Sequence, residues 1–264
     1  MFGVVPKSIW NKSNPADENN MISLAMRCLL IEDGKRLMLI DNGIGQKQDE
    51  KFFSFYYLHG EDSLDKSLKS HGFHRSDITD MILTHLHFDH CGGSIEWNKD
   101  RTALQTSFPN AAYWIGEEQW NEANQPNMRE KASFLKENIL PISESGQLKL
   151  FKPDEKIHPE MEFIASNGHT KGMMHPVINY NGRKIAYVAD MLPTQSHIPI
   201  PYVMGYDVRP LETMNEKQAL LKQAANENWI LFFEHDPVYE ACTVEQTDKG
   251  VRRREMVRVD GGNY

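Results

Sequence analysis

The sequence predicts a mixed α/β protein that presents metal ligands at the ends of its strands. Two observations carry that prediction. Strand-like and helix-like stretches follow one another through most of the 264 residues, the mixture expected of an α/β or α+β class. At four places a strand-like stretch runs straight into His or Asp side chains, the donors that borderline divalent ions prefer.

Taken in order, residues 1–20 read as an N-terminal arm, with Val4, Val5, Ile9 and Trp10 as apolar anchors around Pro6. Trp10 is expected as a lid or a subunit contact. Met21 to Ile31 reads as a strand, Glu32-Asp33-Gly34-Lys35 as a tight turn, and Arg36 to Ile40 as its hairpin partner. Asp41-Asn42-Gly43 is a turn signal at the strand end. The aromatic group Phe52, Phe53, Phe55, Tyr56 and Tyr57 fits a buried helix, a dimer patch or a substrate-facing wall. Ser63 to His71 has helical spacing, with Gly72 placed to stop it.

Ser76 to Leu83 then leads into Thr84-His85-Leu86-His87-Phe88-Asp89-His90-Cys91-Gly92-Gly93. In an extended segment side chains two apart point the same way, so His85 and His87 can face one ion together. Asp89 and His90 fall where the chain must turn, in reach of a second ion. Gly92 and Gly93 let the backbone pass closely beneath the cluster. A histidine-rich solvated loop is the alternative, and the density of His-x-His-x-Asp-His after a strand argues against it. Cys91 reads as a small packing residue rather than an extra ligand.

Beyond the cluster, Ala111 to Ile115 alternates like a strand, and Glu117 to Asn124 and Arg129 to Glu137 read as helices. Pro126 separates them, and Pro141 lies just past the second. Met161 to Ser166 delivers Asn167-Gly168-His169-Thr170. Val177 to Tyr180, Asn181-Gly182 and Lys184 to Ala189 form a hairpin that delivers Asp190. Glu216 to Asn228 reads as a helix, and Ile230 to Phe233 as a buried strand delivering His235. Val238 to Val259, turning at Asp248-Lys249-Gly250, closes the chain as a hairpin.

The bulk numbers exclude several classes. A net charge of -8 argues against nucleic acid as the partner. The run Arg252-Arg253-Arg254 reads as a solvated face. No stretch approaches the ~20 apolar residues needed to cross a membrane, and the start lacks a secretory pattern. Three scattered cysteines without a CxxC pair fit a reduced, cytoplasmic setting.

Thr-His-x-His-x-Asp-His, Gly-His-Thr, Ala-Asp and a late His together resemble the metallo-β-lactamase superfamily, from the hairpin near residue 21 to His235. The resemblance implies an αββα four-layer sandwich, one domain over residues 1–264 behind the arm, with the site along one edge of two packed sheets. It implies two divalent ions, zinc first and cobalt, manganese or iron as alternatives. His85, His87 and His169 match the ligands of one ion and Asp89, His90 and His235 those of the other, with Asp190 as the bridge. The segment Val4 to Trp10 resembles the start of the lactonase and methyl-parathion-hydrolase-like branch.

Departures between branches sharpen this. Aspartate at 190, where β-lactamases of this fold carry cysteine or serine, disfavours β-lactamase chemistry. Histidine at 87 disfavours the flavodiiron branch. Many lactonases of this fold have a tyrosine soon after the bridging aspartate. Here the sequence is Asp190-Met191-Leu192-Pro193-Thr194, so Thr194 or His197 is expected to supply that hydrogen bond. His197 is weighed as a substrate contact against a packed loop histidine, and Phe88 is expected at the pocket mouth or packed beneath it.

The expected reaction is opening of a lactone, such as an N-acyl homoserine lactone, or cleavage of a related ester by metal-activated hydroxide, with Asp89 shuttling the proton. Phosphotriester and thioester hydrolysis are alternatives on the same residues. A single-iron persulfide dioxygenase and a non-catalytic binding protein are readings of other classes. A homodimer is compatible with the aromatic arm and insert.

Overall fold

A computed structural model of the chain describes residues 1–259, which form two compact units. One comprises Cys28–Phe151, and the other joins Met1–Arg27 to the chain from Lys152 onward. Residues 1–20, expected as an arm, belong to this second unit.

The Cys28–Phe151 unit contains β1 (Leu29–Asp33), β2 (Arg36–Ile40), β3 (Asp80–Leu83), β4 (Ile95–Trp97), β5 (Leu104–Thr106), β6 (Ala112–Gly116) and β7 (Leu148–Phe151). Five of them form one sheet in the order β1-β2-β3-β6-β7, and β4 pairs with β5 alone. β3 runs parallel to both neighbours and is buried along its whole length. A strand covered on both faces needs an unbroken apolar run, and Met81-Ile82-Leu83 supplies it. Leu39, Met81, Leu83, Tyr113 and Ile115 from the sheet share a core with Ile139 and Ile142 from the helix Lys136–Glu144.

Three segments up to Phe151 differ from expectation. The predicted strand from Met21 begins only at Leu29; residues 21–28 have no regular structure. The predicted helix from Arg129 to Glu137 is a single 3₁₀ turn, Lys131–Ser133, followed by the helix Lys136–Glu144, which contains Pro141. The aromatic segment forms only a four-residue helix, Glu50–Phe53, and leaves Phe55 and Tyr57 about two-thirds exposed, so it is not a buried helix.

The other unit contains β8 (Met161–Ser166), β9 (Met173–Tyr180), β10 (Arg183–Tyr187), β11 (Ile230–Phe232), β12 (Ala241–Thr247) and β13 (Gly250–Val257), ordered β13-β12-β11-β10-β9-β8. Asn181 and Gly182 both adopt positive φ, the geometry a two-residue hairpin loop demands, and this fixes the β9–β10 register. β10 and β11 are parallel, and the helix Pro210–Glu227 is part of their crossover, packing on β12 and β13. That helix starts six residues before its expected beginning, with Pro210 in its first turn and Asn228 in the left-handed conformation at its end. Among the described residues no helix is long and apolar enough to cross a membrane.

The arm is anchored by its aromatics. Phe2 is buried and stacks on Trp10 at 5.2 Å and on His197 at 4.6 Å between ring centroids. Trp10 thus packs within its own unit, against Phe2.

Candidate metal centre

The expected ligands occupy the ends of strands in both units. In the Cys28–Phe151 unit the chain leaves β3 in extended form through Thr84 to His87 and then makes one helical turn, Phe88–Cys91. The extended stretch brings the rings of His85 and His87 within 4.6 Å, and the turn folds His90 back to 3.9 Å from His85. Asp89 lies on the same turn, about one-third exposed, with its carboxylate 3.9 Å from His90 Nε2.

The loop after β2 holds this turn in place. A Cβ on Gly92 would run into the carbonyl of Ile44, and one on Gly93 into that of Asn42. Both glycines serve close approach, since Gly92 has an ordinary helical φ. Lys47 Nζ donates to Gly92 O at 2.6 Å, and burial lowers its pKa to about 8. Cys91 lies in the core, where its thiol donates to Leu86 O at 3.3 Å and burial pushes its pKa up to about 12. It is a packing residue.

Asp41, read from sequence only as part of a turn, organises two of the histidines. Its carboxylate accepts from Thr84 N at 2.8 Å and Thr84 Oγ at 2.7 Å, and lies 3.1 Å from His90 Nδ1. Thr84 Oγ in turn lies 3.0 Å from His85 Nδ1. Because the Thr84 hydrogen is spent on Asp41, the hydroxyl oxygen accepts from His85 Nδ1–H.

In the unit that carries β8 to β13, His169 follows β8, Asp190 follows β10 and His235 follows β11. Asp190 addresses both histidines: one oxygen lies 3.0 Å from His169 Nε2 and the other 3.0 Å from His235 Nε2. Each ring is pinned from behind, His169 Nδ1 by Asp207 at 3.0 Å and His235 Nδ1 by the carbonyl of Ala25 at 2.7 Å. Burial works against charge on His169, but Asp190 and Asp207 outweigh it and hold the pKa up at about 9. Glu216 grips the preceding loop, accepting from Asn167 N at 2.7 Å and Gly168 N at 3.0 Å. A side chain at 168 would collide with Thr213.

The donor chemistry fits divalent metal. An oxygen fixes one nitrogen of each ring: Nδ1 of His85, His90, His169 and His235, and Nε2 of His87, which lies 3.3 Å from Glu130. A carbonyl or carboxylate can only accept, so the opposite nitrogen is the one that would ligate. Backing oxygens of this kind set tautomer and orientation at metal-binding histidines. Each unit therefore carries His and Asp side chains of metal-binding type, His85, His87, Asp89 and His90 in one and His169, Asp190 and His235 in the other.

The remaining expected site residues are placed as follows. Phe88 is half-buried and packs against Phe52 at 5.5 Å and Tyr56 at 4.8 Å. His197 is fully buried, with Nδ1 2.9 Å from Thr194 Oγ and Nε2 3.0 Å from the carbonyl of Met1. Burial lowers its pKa to about 3. Thr194 is buried too, and its hydroxyl also accepts from Ser196 N at 3.2 Å. Both side chains are engaged in hydrogen bonds within their own unit. Asp41, Glu130 and Asp207 escaped the sequence reading because lone acidic residues in loops carry no spacing signal, and Glu216 because one acidic residue on a helix reads as part of a solvated face.

The fold and this donor set define the class of protein. The sequence profile of the metallo-β-lactamase superfamily matches residues 27–235, and the chain belongs to that family; it is a metal-dependent hydrolase. The match spans parts of both compact units. An N-acyl homoserine lactonase of Bacillus cereus is 24% identical over 230 residues, covering 82% of this chain and 83% of the relative. A probable metal-dependent hydrolase from Staphylococcus aureus of known structure is 29% identical with a TM-score of 0.85, covering 98% of this chain and 92% of that one. The dizinc quorum-quenching lactonase AidC, solved with its product, is 24% identical with a TM-score of 0.70, covering 89% of this chain and 81% of that one.

Proposed function

We propose that this chain opens a lactone, or cleaves a related carboxylic ester, at a pair of divalent ions, with zinc as the native metal. The observation that carries the reading is Asp190, which turns one carboxylate oxygen to His169 and the other to His235. A carboxylate so divided is arranged to serve two ions at once. His85, His87 and His169 would hold one ion, and Asp89, His90 and His235 would hold the other.

Two such ions, when bound, lower the pKa of water toward about 7 and polarise a carbonyl oxygen. The protein's own groups do the rest. Asp89, the least buried of the ligand carboxylates, is placed to accept a proton from the attacking water and return it to the leaving oxygen. Phe88, Phe52 and Tyr56 offer an apolar wall for a hydrophobic acyl group. Two named relatives, the Bacillus lactonase and AidC, support the lactone class.

Elemental analysis of protein purified without chelator, paired with hydrolysis assays on lactones and aryl esters, tests the reading. Two zinc ions per chain with lactone turnover is the expected result. One iron per chain, no hydrolysis and oxygen uptake with a persulfide would overturn it.

A further inference from the structure

The segment from Asn127 to Phe134 reaches from the surface to the edge of His87, and nothing in the ligand motif calls for it. Glu130 is only 4% exposed, yet it carries a carboxylate. Burying such a group costs several kcal/mol unless hydrogen-bond donors meet it. Here both oxygens are met. One accepts from Asn127 Nδ2 at 2.5 Å, and the other lies 3.3 Å from His87 Nε2. Asn127 is itself fixed, because its side-chain oxygen accepts from Arg129 N at 2.9 Å and Glu130 N at 3.3 Å, and its amide reaches Glu122 at 3.2 Å. Phe134 packs against the same imidazole at a tilt, 4.8 Å between ring centroids.

These contacts treat His87 unlike the other four histidines. Their Nδ1 atoms are pinned, whereas His87 is pinned at Nε2. The carboxylate accepts, so Nε2 carries the hydrogen and Nδ1 is the ligating atom. We infer that Glu130 is a positioning residue of the metal centre: it fixes the tautomer and ring angle of His87 and, through its charge, strengthens His87 as a donor. This rests on the reading of His87 as a ligand. The segment that contains residues 127–134 would then be part of the metal-binding apparatus, with Asn127 as the support behind Glu130.

Titration of metal-free protein with cobalt(II), followed by visible absorption, tests this without any substrate. Wild-type uptake of two cobalt ions examines the centre, and the ratio of variant to wild type examines Glu130. Glu130→Gln keeps the volume and removes the charge. It should weaken one of the two ions by about 10- to 100-fold, the range for loss of a backing partner, and shift the cobalt absorption bands. Asn127→Ala, which leaves the carboxylate in place but unsupported, should move both readouts the same way by less. Thermal melting of the metal-free forms separates a purely structural role. A lower melting temperature in both variants, with wild-type cobalt affinity and spectrum, would overturn the proposal.

Discussion

At the scale of single residues, Asp190 and His175 make opposite demands on their surroundings. Asp190 sits between two imidazoles and draws positive charge to itself. Asp190→Asn keeps the volume but halves the capacity to bridge, so metal content and hydrolysis should fall together, the latter by more than about 100-fold. Full activity with two ions still bound would refute the bridging role. His175 is sealed in β9 with Ser166 Oγ 2.8 Å from its Nε2, and burial holds its pKa down to about 4. The folded chain keeps this ring neutral, while the unfolded chain protonates it below about pH 6.5. Its contribution to stability is complete above that pH and is lost as pH falls from about 6.5 toward 4. By pH 5 the loss is about 2 kcal/mol. Urea unfolding of wild type and His175→Gln at pH 7.5 and pH 5 reads it directly. The gap between the two proteins should narrow at pH 5, and a constant gap would show that His175 does not titrate in this way.

At the scale of elements, what was legible in the sequence was whatever local chemistry decides. The β9–β10 hairpin was legible because Asn181-Gly182 suits a turn with two positive φ values. β3 and the turn after it were legible because a buried parallel strand is an apolar run and the His and Asp that follow it are donors of metal-binding type. Residues 21–28 misled because their apolar residues alternate without a strand partner; Ala25 and Arg27 bond instead to the backbone of His235 and Glu234. The helix Lys136–Glu144 misled more instructively. Pro141 cannot donate to the carbonyl of Glu137, so local preference ends the helix early. Burial of Ile139 and Ile142 in the core of the Cys28–Phe151 unit overrides that preference. Such an override leaves a measurable penalty. Pro141→Ala should restore the missing bond and stabilise the protein by about 1–3 kcal/mol, raising its melting temperature in calorimetry. No change would mean that the loop entropy Pro141 removes from the unfolded chain offsets the bond it lacks.

For the molecule as a whole, the division of the ligands along the chain is the consequential feature. Four lie between His85 and His90, and three more arrive only with His169, Asp190 and His235, after most of a further sheet has been threaded. One set groups buried imidazoles with the partly exposed Asp89, and the other holds buried imidazoles against the buried Asp190. On the proposed reading, ions would bind the folded state in preference to the unfolded one, and their binding energy would add to the stability of the fold. At an ion concentration 1,000 times the dissociation constant this amounts to about 4 kcal/mol, or a shift of roughly 10 °C for a chain of this length. Differential scanning calorimetry with zinc and then with chelator should show that drop, together with loss of hydrolysis. Restoring zinc should recover both. A melting temperature indifferent to chelator, in protein shown by elemental analysis to have lost its metal, would mean that the ligand sets are held by the protein scaffold alone. The ions would then contribute to chemistry and not to the fold.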